Sequence, residues 1–288
     1  MADDRRLPRP LLTVEDLWVR FPGPTGPVEA VRGIGFTMGR EKLGIVGESG
    51  SGKSMTGRAI LRLVAPPGRM SAARLEFDGV DLAALDEPAM RRIRGRRISM
   101  VMQDAKFSLN PVMTIGQQID EAYRVHAEVS AGEARRRTLD MLAAVRIRDP
   151  ERVYRAYPHE LSGGMGQRAM IAMMLSPDPD LLIADEPTSA LDVTVQLQVL
   201  AILDDLVSRR GMGLVFISHD LNLVASFCDR VLIMYAGRIV ETCRASALHE
   251  ARHPYTRGLL ASLPRVDRPV AELAVLDRDP AWLDGAPA

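Results

Sequence analysis

A glycine-rich segment at residues 47–54, between a predicted strand and a predicted helix, constrains the fold of this chain more than any other feature. It reads Gly-Glu-Ser-Gly-Ser-Gly-Lys-Ser. Glycines let successive backbone N–H groups point at phosphate oxygens, and the following helix directs its positive end at the same anion. Lys53 can then reach the terminal phosphates and Ser54 can bind Mg²⁺. A chance glycine-rich turn is disfavoured by the flanking strand and helix. The candidate nucleotide ligands of this loop are Gly47, Glu48, Ser49, Gly50, Ser51, Gly52, Lys53 and Ser54.

Short apolar runs alternate with helical patterns along most of the chain. Runs rich in β-branched and apolar residues predict strands at 11–21, 28–37, 43–46, 74–77, 98–102, 181–185, 214–218 and 230–235. Helices are predicted at 53–64, before Pro66 and Pro67, and at 193–209. Apolar spacing between 114 and 175 is helical, which predicts an inserted helical subdomain. The alternation indicates an α/β fold with a mainly parallel core sheet and an N-terminal antiparallel β portion. Residues 264–288 are expected to form a loosely packed tail.

Charge and hydropathy limit the possible partners. Lys and Arg total 37, as do Asp and Glu, so no net field attracts nucleic acid or anionic lipid. The basic stretch at 90–97 lacks interleaved aromatic residues and is interpreted as solvated helix surface. No apolar run approaches the ~20 residues that cross a bilayer, and the N-terminus lacks the apolar core of a signal peptide. The chain has only two cysteines, which are expected to be reduced thiols. We therefore predict a soluble intracellular protein. Any link to a membrane would be made through protein partners.

Two adjacent carboxylates follow the apolar strand at 181–185. Asp185 and Glu186 would lie at the carboxyl edge of the sheet, where α/β sheets bind their ligands. Asp185 suits the Mg²⁺ shell, and Glu186 suits the orientation of the water that attacks a γ-phosphate. Alone, such a pair is usually solvated surface. The interpretation therefore depends on the phosphate loop in the same chain.

The segment LSGGMGQ at 161–167 completes a set of motifs with the phosphate loop, Asp185-Glu186, Ser189-Ala-Leu-Asp192 and the His219 of ISHD. Together they resemble the ATP-binding-cassette (ABC) family over nearly the whole chain. The resemblance implies that two cassettes meet head to tail, with ATP and Mg²⁺ between them. Ser162, Gly163 and Gly164 of one cassette would close over the γ-phosphate held by the other, at a helix N-terminus.

The resemblance assigns roles to four further residues. Gln103 matches the glutamine that senses Mg²⁺ and the attacking water, and His219 matches the switch histidine that contacts the γ-phosphate. Asp192 matches the acidic residue at the dimer interface. Phe21, which ends the first predicted strand, is the candidate for stacking on adenine, with a core position as the alternative.

Three segments narrow the resemblance to importers of peptides and nickel: FSLNP at 107–111, YPHELSGGM at 157–165 and HPYTRGLLASLP at 253–264. They imply a cassette at 11–250, with its helical subdomain at about 104–176, and a C-terminal extension at 251–288. Gly166 and Asp104-Ala105 depart from the common pattern. Neither is expected to contact a phosphate, so we expect the departures to tune coupling and to leave hydrolysis intact. No cysteine follows Cys243, which argues against an iron–sulfur cluster.

The resemblance also implies an assembly. The partners would be an identical or paralogous ATPase subunit, two transmembrane permeases and a periplasmic or lipid-anchored solute-binding protein, at the cytoplasmic face of the inner membrane. The solute is expected to be a di- or oligopeptide, and nickel or a metal chelate is the alternative. A DNA-repair ATPase would require coiled-coil heptads and a translation factor a second cassette, neither of which is seen.

A match to the zinc-protease pattern H-E-x-x-H at 249–253 is rejected. That motif requires both histidines on one helical turn. Pro254 follows His253 and disfavours a helical conformation there.

Overall fold

The computed structural model describes residues 9–103, 108–189, 191–262, 279 and 282 of the chain. Two compact units are present: the first comprises residues 1–84 and 216–288, and the second comprises residues 85–215. The strands are β1 (Leu12–Phe21), β2 (Val28–Met38), β3 (Lys42–Val46), β4 (Arg69–Ser71), β5 (Arg74–Phe77), β6 (Val80–Asp81), β7 (Ile98–Val101), β8 (Leu181–Asp185), β9 (Gly213–Ser218), β10 (Arg230–Tyr235) and β11 (Arg238–Arg244).

Four of the α-helices follow one another between β7 and β8, as the predicted helical insertion requires, and the others lie between or after strands. They are α1 (Lys53–Ile60), α2 (Glu87–Ile93), α3 (Ile115–His126), α4 (Ala131–Ala144), α5 (Pro150–Arg155), α6 (Gly163–Leu175), α7 (Val193–Arg210), α8 (Leu221–Phe227) and α9 (Pro254–Ala261). Short 3₁₀ helices cover Pro158–Glu160 and Ala245–Glu250. Within the part of the chain that the structure describes, no helix is long and apolar enough to cross a membrane.

Strand pairing in the first unit follows the predicted division into antiparallel and parallel parts. β1 pairs antiparallel with β2, β4 and β5, which confirms the antiparallel character of the N-terminal β portion. β10 instead pairs parallel with β3 and antiparallel with β11. Leu43, Ile45 and Val46 of β3 are fully buried, as expected for a strand covered on both faces. The phosphate loop therefore starts from a fixed strand end.

The first helix ends earlier than predicted. The expected range was 53–64, but α1 stops at Ile60 because Arg62 adopts a left-handed conformation with φ 53°. The Arg62 N–H donates to the Ala59 carbonyl and the Leu63 N–H to the Arg58 carbonyl, which is the Schellman pattern. A guanidinium hydrogen bond of 3.0 Å to the Leu82 carbonyl holds Arg62 in place. The helix thus stops through its own C-terminal hydrogen bonds, before the prolines.

The basic stretch at 90–97 is only partly the solvated helix surface that was predicted. Arg91 is exposed on α2, but the stretch continues beyond the end of that helix. Arg97 is half-buried and pairs with Asp180, and its carbonyl accepts hydrogen bonds from the N–H groups of Asp180 and Leu181. This arginine therefore joins the start of β7 to the start of β8, which form a parallel pair.

The two cysteines lie in the first unit. Cys228 caps the C-terminus of α8 and is buried, whereas Cys243 lies on β11 and is half-buried. Both are free thiols, as predicted.

Three helices of the second unit, α3, α4 and α5, are joined by the half-buried carboxylate of Asp120 on α3. Its carboxylate accepts hydrogen bonds of 2.6 Å from the Thr138 hydroxyl of α4 and 2.6 Å from the Tyr154 hydroxyl of α5. Burial and the bond to Asp120 raise the pKa of Tyr154 to about 12, so this phenol remains a donor at neutral pH. One carboxylate therefore fixes three helices.

Asp120→Ala should lower the free energy of unfolding by about 2–4 kcal/mol, because the buried Thr138 and the half-buried Tyr154 lose a charged acceptor for their hydroxyls. The measurement is urea denaturation followed by circular dichroism. Asp140→Ala is the matched control: its carboxylate on α4 is exposed and pairs with Arg136 at 3.2 Å, which is worth about 0–1 kcal/mol. Equal losses in the two variants would contradict the role given to Asp120.

Candidate phosphate loop and acidic strand end

The phosphate loop joins β3 to α1 and confirms the predicted strand–loop–helix context. Gly52 caps α1 in a left-handed conformation with φ 100°, which favours glycine. A Cβ atom at Gly52 would lie 2.4 Å from the Ala30 carbonyl oxygen, and one at Gly47 would lie 2.1 Å from the Met234 carbonyl oxygen. At Gly47 and Gly52 the loop therefore lies too close to neighbouring backbone for any residue that has a Cβ atom.

Hydrogen bonds from the C-terminal part of the first unit support the loop. The Gly237 N–H, in the turn between β10 and β11, donates to the Ser51 carbonyl at 3.0 Å. The Glu48 N–H donates to the Tyr255 hydroxyl of α9 at 3.1 Å. Neither support was predicted from the sequence, in which HPYT indicated only the start of a C-terminal extension.

Lys53 lies inside the loop rather than in solvent. Its side chain is buried, and Nζ donates to the carbonyls of Gly47 at 2.7 Å and Glu48 at 2.8 Å. No side chain caps α1, and its first turn carries no acidic residue. A buried cation and an uncapped helix N-terminus are thus held together, which is the electrostatic arrangement that an anion requires.

The first unit contains two other predicted site residues, Phe21 and His219, each at the end of a strand. Phe21 ends β1 and its ring lies against the backbone of Gly68, so close that a Cβ there would be 2.5 Å from a ring carbon. His219 follows β9 and is exposed. Its successor Asp220 caps α8 by accepting from the Leu223 N–H at 3.1 Å.

The second unit brings together three of the predicted residues at the carboxyl ends of β7 and β8. Asp185 ends β8 and is buried, and Glu186 follows it half-buried. The Gln103 side-chain amide, just after β7, donates to Glu186 Oε2 at 3.2 Å. Glu186 has φ 46°, a left-handed conformation that costs a non-glycine residue about 1–3 kcal/mol. Such strain is characteristic of functional positions.

The predicted residues of the LSGG segment lie at a helix N-terminus in the same unit. Ser162 caps α6 by accepting from the Met165 N–H at 3.4 Å, and both Ser162 and Gly163 are exposed. Gly164 lets α6 approach α7, since a Cβ would lie 2.5 Å from Val195 Cγ1.

The N-terminus of α7 is exposed as well. Asp192 caps this helix by accepting from the Val195 N–H at 3.0 Å and is itself exposed. Val193 and Leu197 beside it are 73% and 60% exposed, which is unusual for large apolar side chains. A surface of this composition is suited to a protein partner.

The histidines of the rejected zinc-protease pattern lie on different elements. His249 belongs to the 3₁₀ helix at Ala245–Glu250, whereas His253 caps α9 and accepts from the Tyr255 N–H through Nδ1 at 3.2 Å. Asp104-Ala105, the start of FSLNP and most of the tail at 264–288 lie outside the described residues. Of that tail, Trp282 is described, and its ring centroid lies 6.1 Å from that of Tyr255.

Comparisons with known proteins agree with this arrangement of motifs. The family model described as ABC transporter matches residues 31–189. The oligopeptide transport ATP-binding protein OppD of Bacillus subtilis is 47% identical over 89% of this chain and 73% of its own length. The dipeptide transport ATP-binding protein DppD of Escherichia coli is 47% identical over 92% of this chain and 82% of its own.

Among solved structures, the dimeric ATP-binding cassette MJ0796 bound to ADP and Pi superposes with a TM-score of 0.73 at 26% identity, covering 81% of this chain and 98% of that one. The family match extends over more than half of the sequence and includes the phosphate loop, the LSGG segment and the acidic strand end. The chain therefore belongs to the ABC transporter family.

Proposed function

We propose that this chain hydrolyses ATP to drive the import of di- or oligopeptides across a bacterial inner membrane. The observation that carries the proposal is the phosphate loop, where buried Lys53 lies beside the uncapped N-terminus of α1. The peptide solute is proposed from the names of the relatives, which refer to oligopeptide and dipeptide transport. None of the relatives described above supports the nickel alternative.

The residues of the loop suit a bound polyphosphate. Lys53 is the cation inside the loop, and we propose that its ammonium, which the carbonyls of Gly47 and Glu48 hold, also donates to a phosphate oxygen. Ser51 Oγ is buried and has no hydrogen-bond partner among the described residues. A bound ligand or a rotation of the Ser51 side chain would satisfy this hydroxyl. The N-terminal amides of α1 would add the helix dipole to this attraction.

We propose three Mg²⁺ ligands, as the family resemblance implies. These are the Ser54 hydroxyl, the Asp185 carboxylate and the Gln103 amide oxygen, each a hard oxygen donor of the type that Mg²⁺ prefers. When bound, Mg²⁺ neutralises charge on the phosphate oxygens.

Glu186 is proposed as the residue that accepts a hydrogen bond from the attacking water and orients it. The contact from Gln103 Nε2 supports this role, because it holds the carboxylate in one direction at the end of β8. His219 is proposed to contact the γ-phosphate, and Phe21 to stack on adenine. These two roles depend on the family resemblance.

The nucleotide site is proposed to be completed by a second cassette. Ser162, Gly163 and Asp192 are exposed with Val193 and Leu197, as residues that meet a partner should be. A dimeric cassette is among the solved structures that resemble this chain. We propose a head-to-tail dimer in which Ser162, Gly163 and Gly164 face the γ-phosphate held by the other subunit. The partner is a second copy or a paralogue.

The proposed assembly adds two transmembrane permeases and a periplasmic or lipid-anchored solute-binding protein. The chain would then be a peripheral protein at the cytoplasmic face of the inner membrane, with no nucleic acid partner. Its cassette would span 11–250, with a helical subdomain at about 104–176, followed by the extension at 251–288.

Lys53→Ala should nearly abolish ATP binding, because it removes the only buried ammonium of the loop. The measurement is isothermal titration of the full chain with Mg·ATP. Lys42→Ala is the matched control, since Lys42 lies outside the loop with its ammonium 5.1 Å from the Phe227 ring centre. Wild-type affinity in the Lys53 variant would refute the assignment of this loop.

Glu186→Gln should preserve ATP binding and slow hydrolysis by about 10²–10⁴-fold, the range for the loss of a positioned general base. Slower hydrolysis should also make an ATP-dependent dimer visible by size-exclusion chromatography. Adding Ser162→Arg should prevent that dimer without loss of nucleotide binding, because the cation would obstruct the second subunit.

Glu250→Gln is the control for the change in charge, since Glu250 is 72% exposed at the end of a 3₁₀ helix. Near-normal turnover in Glu186→Gln would place the base elsewhere. Loss of ATP binding by Ser162→Arg to the extent seen for Lys53→Ala would refute the head-to-tail arrangement.

Deletion of the gene should abolish ATP-dependent uptake of a labelled short peptide that the cognate solute-binding protein recognises. Wild type should restore uptake, whereas Glu186→Gln should not, because the same site drives transport. The ligand of the binding protein should be determined in parallel. A tight nickel chelate or sugar as that ligand, with no peptide bound, would exclude peptide import and leave the ATPase proposal intact.

A further inference from the structure

Tyr255 connects the C-terminal extension to the phosphate loop. It is the tyrosine of the HPYT segment and the first residue after Pro254 in α9. Its side chain is fully buried, although it carries a hydroxyl that needs a partner. That partner is the Glu48 N–H, at 3.1 Å and 207 positions earlier in the chain.

The extension is fixed to the hairpin that supports the loop. The ring centroid of Tyr255 lies 4.5 Å from that of Tyr235, the last residue of β10. The Glu241 carboxylate on β11 accepts from the N–H groups of Arg252 at 2.7 Å and His253 at 3.3 Å. The Tyr255 hydroxyl is therefore fixed to the β10–β11 hairpin, in whose turn the Gly237 N–H donates to the Ser51 carbonyl.

The hydrogen bond from the Glu48 N–H involves the peptide group that also binds Lys53. The Gly47 carbonyl and the Glu48 N–H belong to one planar peptide unit, so they cannot rotate separately. Lys53 Nζ donates to the carbonyl end at 2.7 Å, and Tyr255 accepts from the N–H end at 3.1 Å. Each contact thus fixes the direction that the other requires.

We propose that Tyr255 is a positioning residue for ATP binding: it holds the plane of the peptide between Gly47 and Glu48 and so sets the place of Lys53. The inference rests on the proposed function of the loop as the ATP site. Under this proposal the C-terminal extension contributes to nucleotide binding through Tyr255. A purely structural role for Tyr255 would change stability without a specific change in nucleotide affinity.

Tyr255→Phe removes the acceptor and keeps the ring. The Kd and KM for ATP should rise about 3- to 10-fold, the effect of losing one hydrogen bond, while kcat stays within about 2-fold. Tyr235→Phe is the matched control, because it removes a hydroxyl from the other ring of the stack, for which the structure describes no hydrogen bond. It should leave the three constants at wild-type values. The measurements are Mg·ATP titration, steady-state hydrolysis and thermal unfolding of the full chain.

A tyrosine analogue fluorinated beside the hydroxyl, incorporated at position 255, provides a variant that keeps its hydroxyl should the Phe variant fail to fold. It weakens the acceptor and should raise KM, by less than Tyr255→Phe does. Wild-type Kd and KM in either 255 variant, or an equal rise in Tyr235→Phe, would overturn the inference. If Lys53→Ala abolishes ATP binding, then wild-type constants in the position-255 variants refute only the positioning role of Tyr255 and leave the proposed ATP site intact. Normal binding by Lys53→Ala would refute the ATP site and the inference together.

Discussion

The close approach of the phosphate loop to neighbouring backbone is the constraint on which the first unit depends. Gly47 and Gly52 lie where a Cβ would collide with the carbonyl oxygens of Met234 and Ala30. The loop therefore requires glycine at both positions, because the backbones of β10 and β2 lie directly against it. The hydrogen bond from Gly237 to the Ser51 carbonyl adds to this fit. Residues far apart in the sequence thus form one support for the loop.

In the second unit the corresponding constraint is the parallel pairing of β7 with β8. Parallel neighbours end at the same edge, which brings Gln103 and Glu186 into contact although they are 83 positions apart. The left-handed backbone of Glu186 turns its carboxylate at that edge and costs stability to maintain. Arg97 joins the opposite ends of the two strands and keeps them in register.

The strand–loop–helix context of Lys53 could be predicted from the sequence, because glycine spacing and apolar runs are local signals. The end of α1 could not, since the left-handed residue there is Arg62 and no glycine marks the turn. The contact of Tyr255 with Glu48 was also hidden. The donor in this contact is a backbone N–H, which almost every residue possesses. The amino-acid sequence therefore gives no signal that Glu48 is the partner of Tyr255.

The placement of the two cysteines has a practical consequence for spectroscopy. Burial raises the pKa of Cys228 to about 12, and burial also raises the pKa of Cys243. Alkylating reagents react with the thiolate, and this form is scarce for both residues at neutral pH. The chain has no other cysteine. A cysteine introduced at an exposed site would therefore react much faster with a maleimide spin label or fluorophore than either native thiol, so distance measurements could begin without a cysteine-free background.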